Sequence, residues 1–313
     1  MLDTFLATVS PMMTLFICIL IGYILRKTGI VPENTASVLS KLCLFVALPA
    51  RILLSFVDCT LDSILSQLPL VIYGFVAVAI SFVLAKPLSG LFTKEVNERK
   101  LYRYSMFSAN FGYLGNAIVP AVMGEGAMAA FLIFCLPLNI GVYTWGIQSL
   151  IPVGKGEKKS VWKQLLQPPL VAMIAGLFLG LTGLGLYLPG FVTGSIASFS
   201  SCMGPLSMIL TGYVIGSYDI KKLLTNVKVY WASALRLIVL PLLLTLILWL
   251  LGADKQTLLL VPFGFGSALG MNTIIIPAAY DADTNTGASM AMISHVASIL
   301  TIPLLYALLG SIL

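Results

Sequence analysis

About ten apolar windows of roughly 17 to 25 residues follow one another along this chain, each near the length a helix needs to cross a bilayer. They cover approximately 5–25, 38–57, 66–92, 101–123 and 127–150, then 168–187, 190–216, 227–251, 257–280 and 287–311. Hydrocarbon admits only helices and closed barrels, because every backbone N–H and C=O must be paired inside the protein. The runs are continuously apolar and lack the alternation and regular turn residues of a barrel. An all-α integral membrane fold of ten transmembrane helices is therefore expected. The composition agrees, with 59% of the residues hydrophobic and 10% charged, far from the balance of a soluble domain.

The charges orient this bundle. Of the 18 Lys and Arg, all but Arg51, Arg236 and Lys255 lie in or beside four alternate connections: Arg26, Lys27 and Lys41; Lys86, Lys94, Arg99, Lys100 and Arg103; Lys155, Lys158, Lys159 and Lys163; Lys221, Lys222 and Lys228. The positive-inside bias puts those connections in the cytoplasm and both termini outside, in a multi-pass protein of the cell membrane. Topology thus accounts for the net charge of +6. The bilayer is the partner it implies, and no nucleic acid is needed. Arg26 and Lys27 follow the first apolar run and no basic stretch precedes it, so that run reads as a retained helix rather than a cleaved leader. The stretch "PVGKGEKKSVWKQ" at 152–164 reads as a linker, in which Gly and Lys interrupt the apolar pattern.

That cytoplasmic linker, 152–166, divides the chain into 1–151 and 167–313, and the two halves match. Pro11 pairs with Pro168 at an offset of 157, Pro49 with Pro205 at 156, Gly115 with Gly270 at 155, Asn116 with Asn272 at 156, and Pro120 with Pro277 at 157. An ordered set at a nearly fixed offset indicates an internal repeat. Each half holds five spans, an odd number, so the second half enters the membrane in the opposite sense. Two inverted five-helix repeats are the architecture of many secondary transporters.

Spans four and nine carry unusual residues for a membrane interior: "GYLGNAIVP" at 112–120 and "GSALGMNTIIIP" at 266–277. Gly and Pro interrupt a span only where protein or a water-filled cavity satisfies the freed backbone groups. Their corresponding places in the two halves predict broken, crossing helices 4 and 9 around a midplane site. Gly115 and Gly270 would let the backbones approach, and Asn116 and Asn272 would bind substrate with amide donors and acceptors. Pro120 and Pro277 suit the first turn of each second half-helix, whose unpaired N–H groups would favour an anion. The plainer alternative, ordinary kinks with asparagines bonding neighbouring helices, loses weight because the placement is symmetric.

"KLCLFVALPARILLSF" at 41–56, "SANFGYLGNAIVPAVMGEGA" at 108–127, "LRLIVLPLLLTLI" at 235–247 and "GMNTIIIPAAYD" at 270–281 resemble the auxin efflux carrier family, over essentially the whole chain. That family includes prokaryotic malonate transporter-like proteins and plant auxin exporters. The resemblance implies a fold like sodium/proton antiporters and bile-acid transporters, with spans 1, 2, 6 and 7 as scaffold and spans 3–5 and 8–10 as a moving transport domain. It also implies a homodimer through scaffold helices, and it places the family's crossover prolines on Pro120 and Pro277. The long cytoplasmic loop of many plant members is missing here, so plant substrate specificity does not carry over.

Two arginines and a histidine set away from the basic connections fall inside spans. His295, at an offset of 156 from Asn139, would flank the crossing with it and is open to two readings: proton coupling or carboxylate binding, or a neutral histidine bonded to a neighbouring helix. Arg51 can snorkel or pair with Asp58, or attract an anion as a fixed cation. Arg236 is expected to pair with Asp281 or Asp283. The five cysteines contain no C-x-x-C pair, so neither a metal site nor a disulfide framework is indicated. Nucleotide-binding, metalloprotease and serine-hydrolase motifs are absent as well, and neither enzyme nor cofactor chemistry is expected. Trp145, Trp162, Trp231 and Trp249 fit interfacial anchors. The expected function is secondary transport of a small organic anion, malonate-like or auxin-like, with possible proton coupling. The alternative is a ligand sensor that uses the same cavity without transport.

Overall fold

The computed structural model describes residues 2–154, 167–278, 280 and 282–313. Helices occupy every expected window: α1 Leu2–Thr28, α2 Thr35–Phe56, α3 Leu61–Phe92, α4 Val96–Phe107, α5 Phe111–Met123, α6 Ala127–Phe134, α7 Leu136–Leu150, α8 Pro168–Thr182, α9 Gly190–Gly216, α10 Val227–Leu250, α11 Lys255–Phe265, α12 Asn272–Ala278 and α13 Asn285–Ile312. Among the described residues, six helices are long and apolar enough by themselves to cross a membrane, and α6 with α7, bent by 43°, makes a seventh. The rest of the apolar chain is short, as in α8, or interrupted, as between α4 and α5 and between α11 and α12. The linker residues 155–166, with Lys155, Lys158, Lys159, Lys163 and Trp162, lie outside the described residues, as does Asp281.

Glycines decide which helices meet. α1 packs along the second half of α9, and α8 packs on α2. A Cβ on Gly22 would lie 2.0 Å from the Ile209 oxygen, and one on Gly212 would lie 1.8 Å from the Ile19 oxygen. On α8, a Cβ at Gly180 would lie 2.4 Å from the Phe56 oxygen. Gly212 and Gly216, like Gly176 and Gly180, have the four-residue spacing that stacks small residues on one helix face and lets backbones touch. Lipid offers no hydrophobic drive for helices to associate, so this close contact is what holds them. At the end of the α1–α9 pair the Tyr213 hydroxyl donates to the Pro32 carbonyl at 2.6 Å and accepts from Arg26 at 3.2 Å.

The remaining helices gather around α3 and α13. α3 contacts α4, α6, α7 and α10, while α13 contacts α10, α11 and α12 and also packs extensively on α1. Trp145 is half-buried in this packing: its ring sits 4.9 Å from both Phe82 and Phe107, with the Arg103 guanidinium 5.0 Å above it. The reason is its neighbours, since α3 and α4 both supply aromatic rings at its level. Trp231 and Trp249 are exposed, as an anchor requires.

Among the described residues, four helical turns widen to π geometry, at Cys43–Ala47, Phe111–Gly115, Val142–Gly146 and Leu235–Val239. Two of them directly precede a proline in the same span, Pro49 and Pro241. A proline lacks the N–H for its own helical bond and crowds the carbonyl of the preceding turn, which opens that turn.

Candidate functional site

Both interrupted spans come apart at the same place in the fold. The chain leaves helix at 108–110 and again at 266–271, and there Ala109 and Leu269 pair as an isolated antiparallel bridge. The Asn110 amide donates to the Ala268 carbonyl at 2.7 Å. The Leu269 amide donates to the Ser294 hydroxyl at 2.8 Å, and that hydroxyl donates in turn to the Met290 carbonyl at 2.6 Å. Each freed backbone group so paired avoids a cost of about 1–3 kcal/mol. Much of the support comes from α13, which lies against the crossing.

His295 follows Ser294 on the same helix and is almost fully buried. Its Nδ1 is 2.6 Å from the Ala291 carbonyl, and its Nε2 is 3.0 Å from Asn110 Nδ2. A carbonyl only accepts, so Nδ1 carries the proton, and Nε2 accepts from the Asn110 amide. The imidazole is therefore held neutral and locked to the crossing strand.

A cavity of about 220 Å³ opens beside the bridge. Its polar wall includes Ser108, Asn110, Asn116, Asn139 and Asn272, with the rings of Tyr104, Tyr113 and Tyr143. Leu44, Leu48, Ile52 and Ile276 supply part of its apolar lining, and no Asp, Glu, Lys, Arg or His borders it among the described residues. Three of the wide turns contribute: Leu44, Gly112 with Tyr113, and Val142 with Tyr143. The first turns of α5 and α12 also border the space. Asn272 Nδ2 donates to the buried Tyr104 hydroxyl at 2.7 Å, and Asn116 Nδ2 donates to the Gly112 carbonyl at 2.8 Å. The Asn116 Oδ1 has no protein partner.

Of the residues the sequence singles out, Asn116, Asn139, Asn272 and Gly270 line this cavity. The other five stand elsewhere. Gly115 is packed behind it, where a Cβ would meet Phe131 at 2.7 Å. Pro120 and Pro277 lie inside α5 and α12 rather than in their first turns. The helices restart at Phe111 and Asn272 because the bridge fixes where the chain turns, and the prolines follow downstream. His295 sits behind Asn110 instead of flanking the cavity opposite Asn139.

Arg51 pairs not with Asp58 but with Glu125, at 3.1 Å, and donates to the Ser200 hydroxyl at 3.2 Å. The turn around Gly124, φ +85°, brings Glu125 back over α2. Arg236 is fully buried and donates to the Met106 carbonyl at 2.9 Å, whereas Asp283 accepts from Asn285. The sequence reading missed Asn110 and the three tyrosines. A signal for Asn110 exists, since "SAN" at 108–110 and "SAL" at 267–269 mark the two crossing segments.

Comparison with known proteins places the chain among membrane transporters. A family model described as membrane transport protein matches residues 7–306. An uncharacterized transporter of Methanocaldococcus jannaschii is 29% identical over 92% of this chain and 94% of its own length. A second uncharacterized transporter, from Methanothermobacter thermautotrophicus, is 22% identical over 96% of this chain and 98% of its own length.

Proposed function

The chain belongs to the membrane transport proteins of the auxin efflux carrier family, and from that premise we propose that it is a secondary transporter moving a small organic anion, a carboxylate, by alternating access. The observation that carries the reading is the crossing itself: two interrupted spans, paired at Ala109 and Leu269, beside a cavity lined by amides and phenols. Broken helices inside a membrane are retained where they line such a cavity. In this reading Asn116, Asn139 and Asn272 bind the carboxylate with amide donors, and the N-terminal end of α5 contributes its dipole.

The proposed frame is ten spans in two inverted repeats, with α1, α2, α8 and α9 as scaffold and the rest as the moving part. The order of helices supports it, since each half runs two spans, a third, a broken fourth and a fifth. A second cavity of about 390 Å³ shares Ser40 and Ile275 with the first and carries Lys41. On the proposed topology that is the cytoplasmic side, with both termini outside the cell membrane, so the site is reached from within. The Arg51–Glu125 pair lies toward the opposite face and ties scaffold to moving part. Proton coupling through His295 would require Asn110 to turn its amide, because a protonated Nε2 needs an acceptor.

Flux of labelled malonate, oxalate, succinate and indole-3-acetate into proteoliposomes, under imposed potential or pH gradients, tests the reading. Flux of one anion that Asn116→Ala with Asn272→Ala abolishes in a folded protein supports it. Saturable binding without flux under any gradient would replace it with the sensor reading.

A further inference from the structure

Arg236 is the largest fully buried side chain of the molecule among the described residues, and no carboxylate pairs with it there. Its surroundings supply negative charge in another form. Nη1 bonds the carbonyl of Met106, in the last turn of α4, and the guanidinium lies 6.0 Å from the ring of Phe265, the last residue of α11. Both helices end at the crossing. Carbonyls at a helix C-terminus have no intrahelical partner and together carry about half a negative charge. Two such ends meeting inside a membrane-spanning bundle therefore amount to roughly one negative charge in surroundings that screen it far less than bulk water does.

We propose that Arg236 is the positioning residue of the crossing, a fixed countercharge that neutralises the C-terminal ends of α4 and α11 and so lets the two helices end beside each other. The wide turn Leu235–Val239 carries it, and Pro241, in the same span, lies against Gly266, where α11 stops. Nε and Nη2 have no hydrogen-bond partner, so hydrogen bonding alone does not explain why a whole guanidinium is buried here. Charge does, because the field of two helix ends acts on the cation without direct contact. With the negative ends neutralised, the crossing presents the N-terminal end of α5 to the cavity, and that consequence alone rests on the anion-transport reading.

Hydrogen exchange on the full chain in lipid nanodiscs tests this without any substrate, and so separately from transport. Three variants divide the possible causes: Arg236→Lys keeps charge, Arg236→Gln keeps a donor without charge, and Arg236→Met keeps only bulk. Segments 104–112 and 264–272 should exchange about tenfold faster in the Gln and Met variants and within about threefold of wild type in the Lys variant, while 203–216 on α9 stays unchanged. If the Met variant does not fold, the Lys and Gln pair still decides. Wild-type protection in Gln would overturn the proposal, because a donor would then suffice. So would a Lys variant as fast as Gln, which would mean guanidinium shape rather than charge.

Discussion

Where α1 meets α9, glycines bring two intact helices into backbone contact; where α4 and α5 meet α11 and α12, glycines border the place at which helices stop. The first contact is closed, since any Cβ at Gly22 or Gly212 runs into a carbonyl within about 2 Å. At the second, a Cβ on Gly112 would meet nothing within 4 Å, and one on Gly270 would meet Tyr104 only at 3.5 Å. At the crossing Gly115 and Gly266 are packed tightly too, a Cβ on either meeting a neighbour at 2.7 Å, so it is Gly112 and Gly270 that leave room for something to enter. A fixed frame and a ligand site would need those two kinds of contact.

Breaking the frame should have the largest effect. Gly212→Val drives a side chain into the α1 backbone and should lower stability by about 3 kcal/mol or more, read from unfolding by SDS in mixed micelles. Gly115→Ala comes next, because Phe131 is fully buried and has nowhere to go. The expected cost is about 1–3 kcal/mol, and an unchanged unfolding midpoint would show that Gly115 serves the cavity rather than the packing behind it.

Asn272→Ala should sharpen the contrast. It removes the bond to the Tyr104 hydroxyl, which costs about 1 kcal/mol in stability, while anion flux falls far more than that loss accounts for. Equal losses of flux and folded protein would make Asn272 structural. The smallest effect belongs to Gly270→Ala, within about 0.5 kcal/mol, since its Cβ has ordinary contact distances. A large loss of stability there would mean that the crossing is packed as tightly as the frame.

The contrast also separates what could be read from the chain. The Gly and Pro clusters in spans four and nine gave away both interruptions, because an unpaired amide in hydrocarbon is costly wherever it occurs. They misplaced the turning points by several residues, since Pro120 and Pro277 looked like helix starts. The pairing of Ala109 with Leu269 set those starts instead. The glycine spacings Gly176 with Gly180 and Gly212 with Gly216 were not picked out from the sequence, and nothing in them names the partner helix.

Hydropathy and the backbone's need for hydrogen bonds are local constraints. By themselves they determined that this chain is a helical membrane protein, where its helices lie, and which spans are interrupted. The partners of its buried polar groups were decided only by tertiary structure. Arg51 reaches Glu125, His295 accepts from Asn110, and Arg236 caps Met106, each across a long stretch of sequence. A buried charge or amide takes whatever donor, acceptor or helix end the packing of other helices brings within about 3 Å, and spacing along the chain carries no record of that.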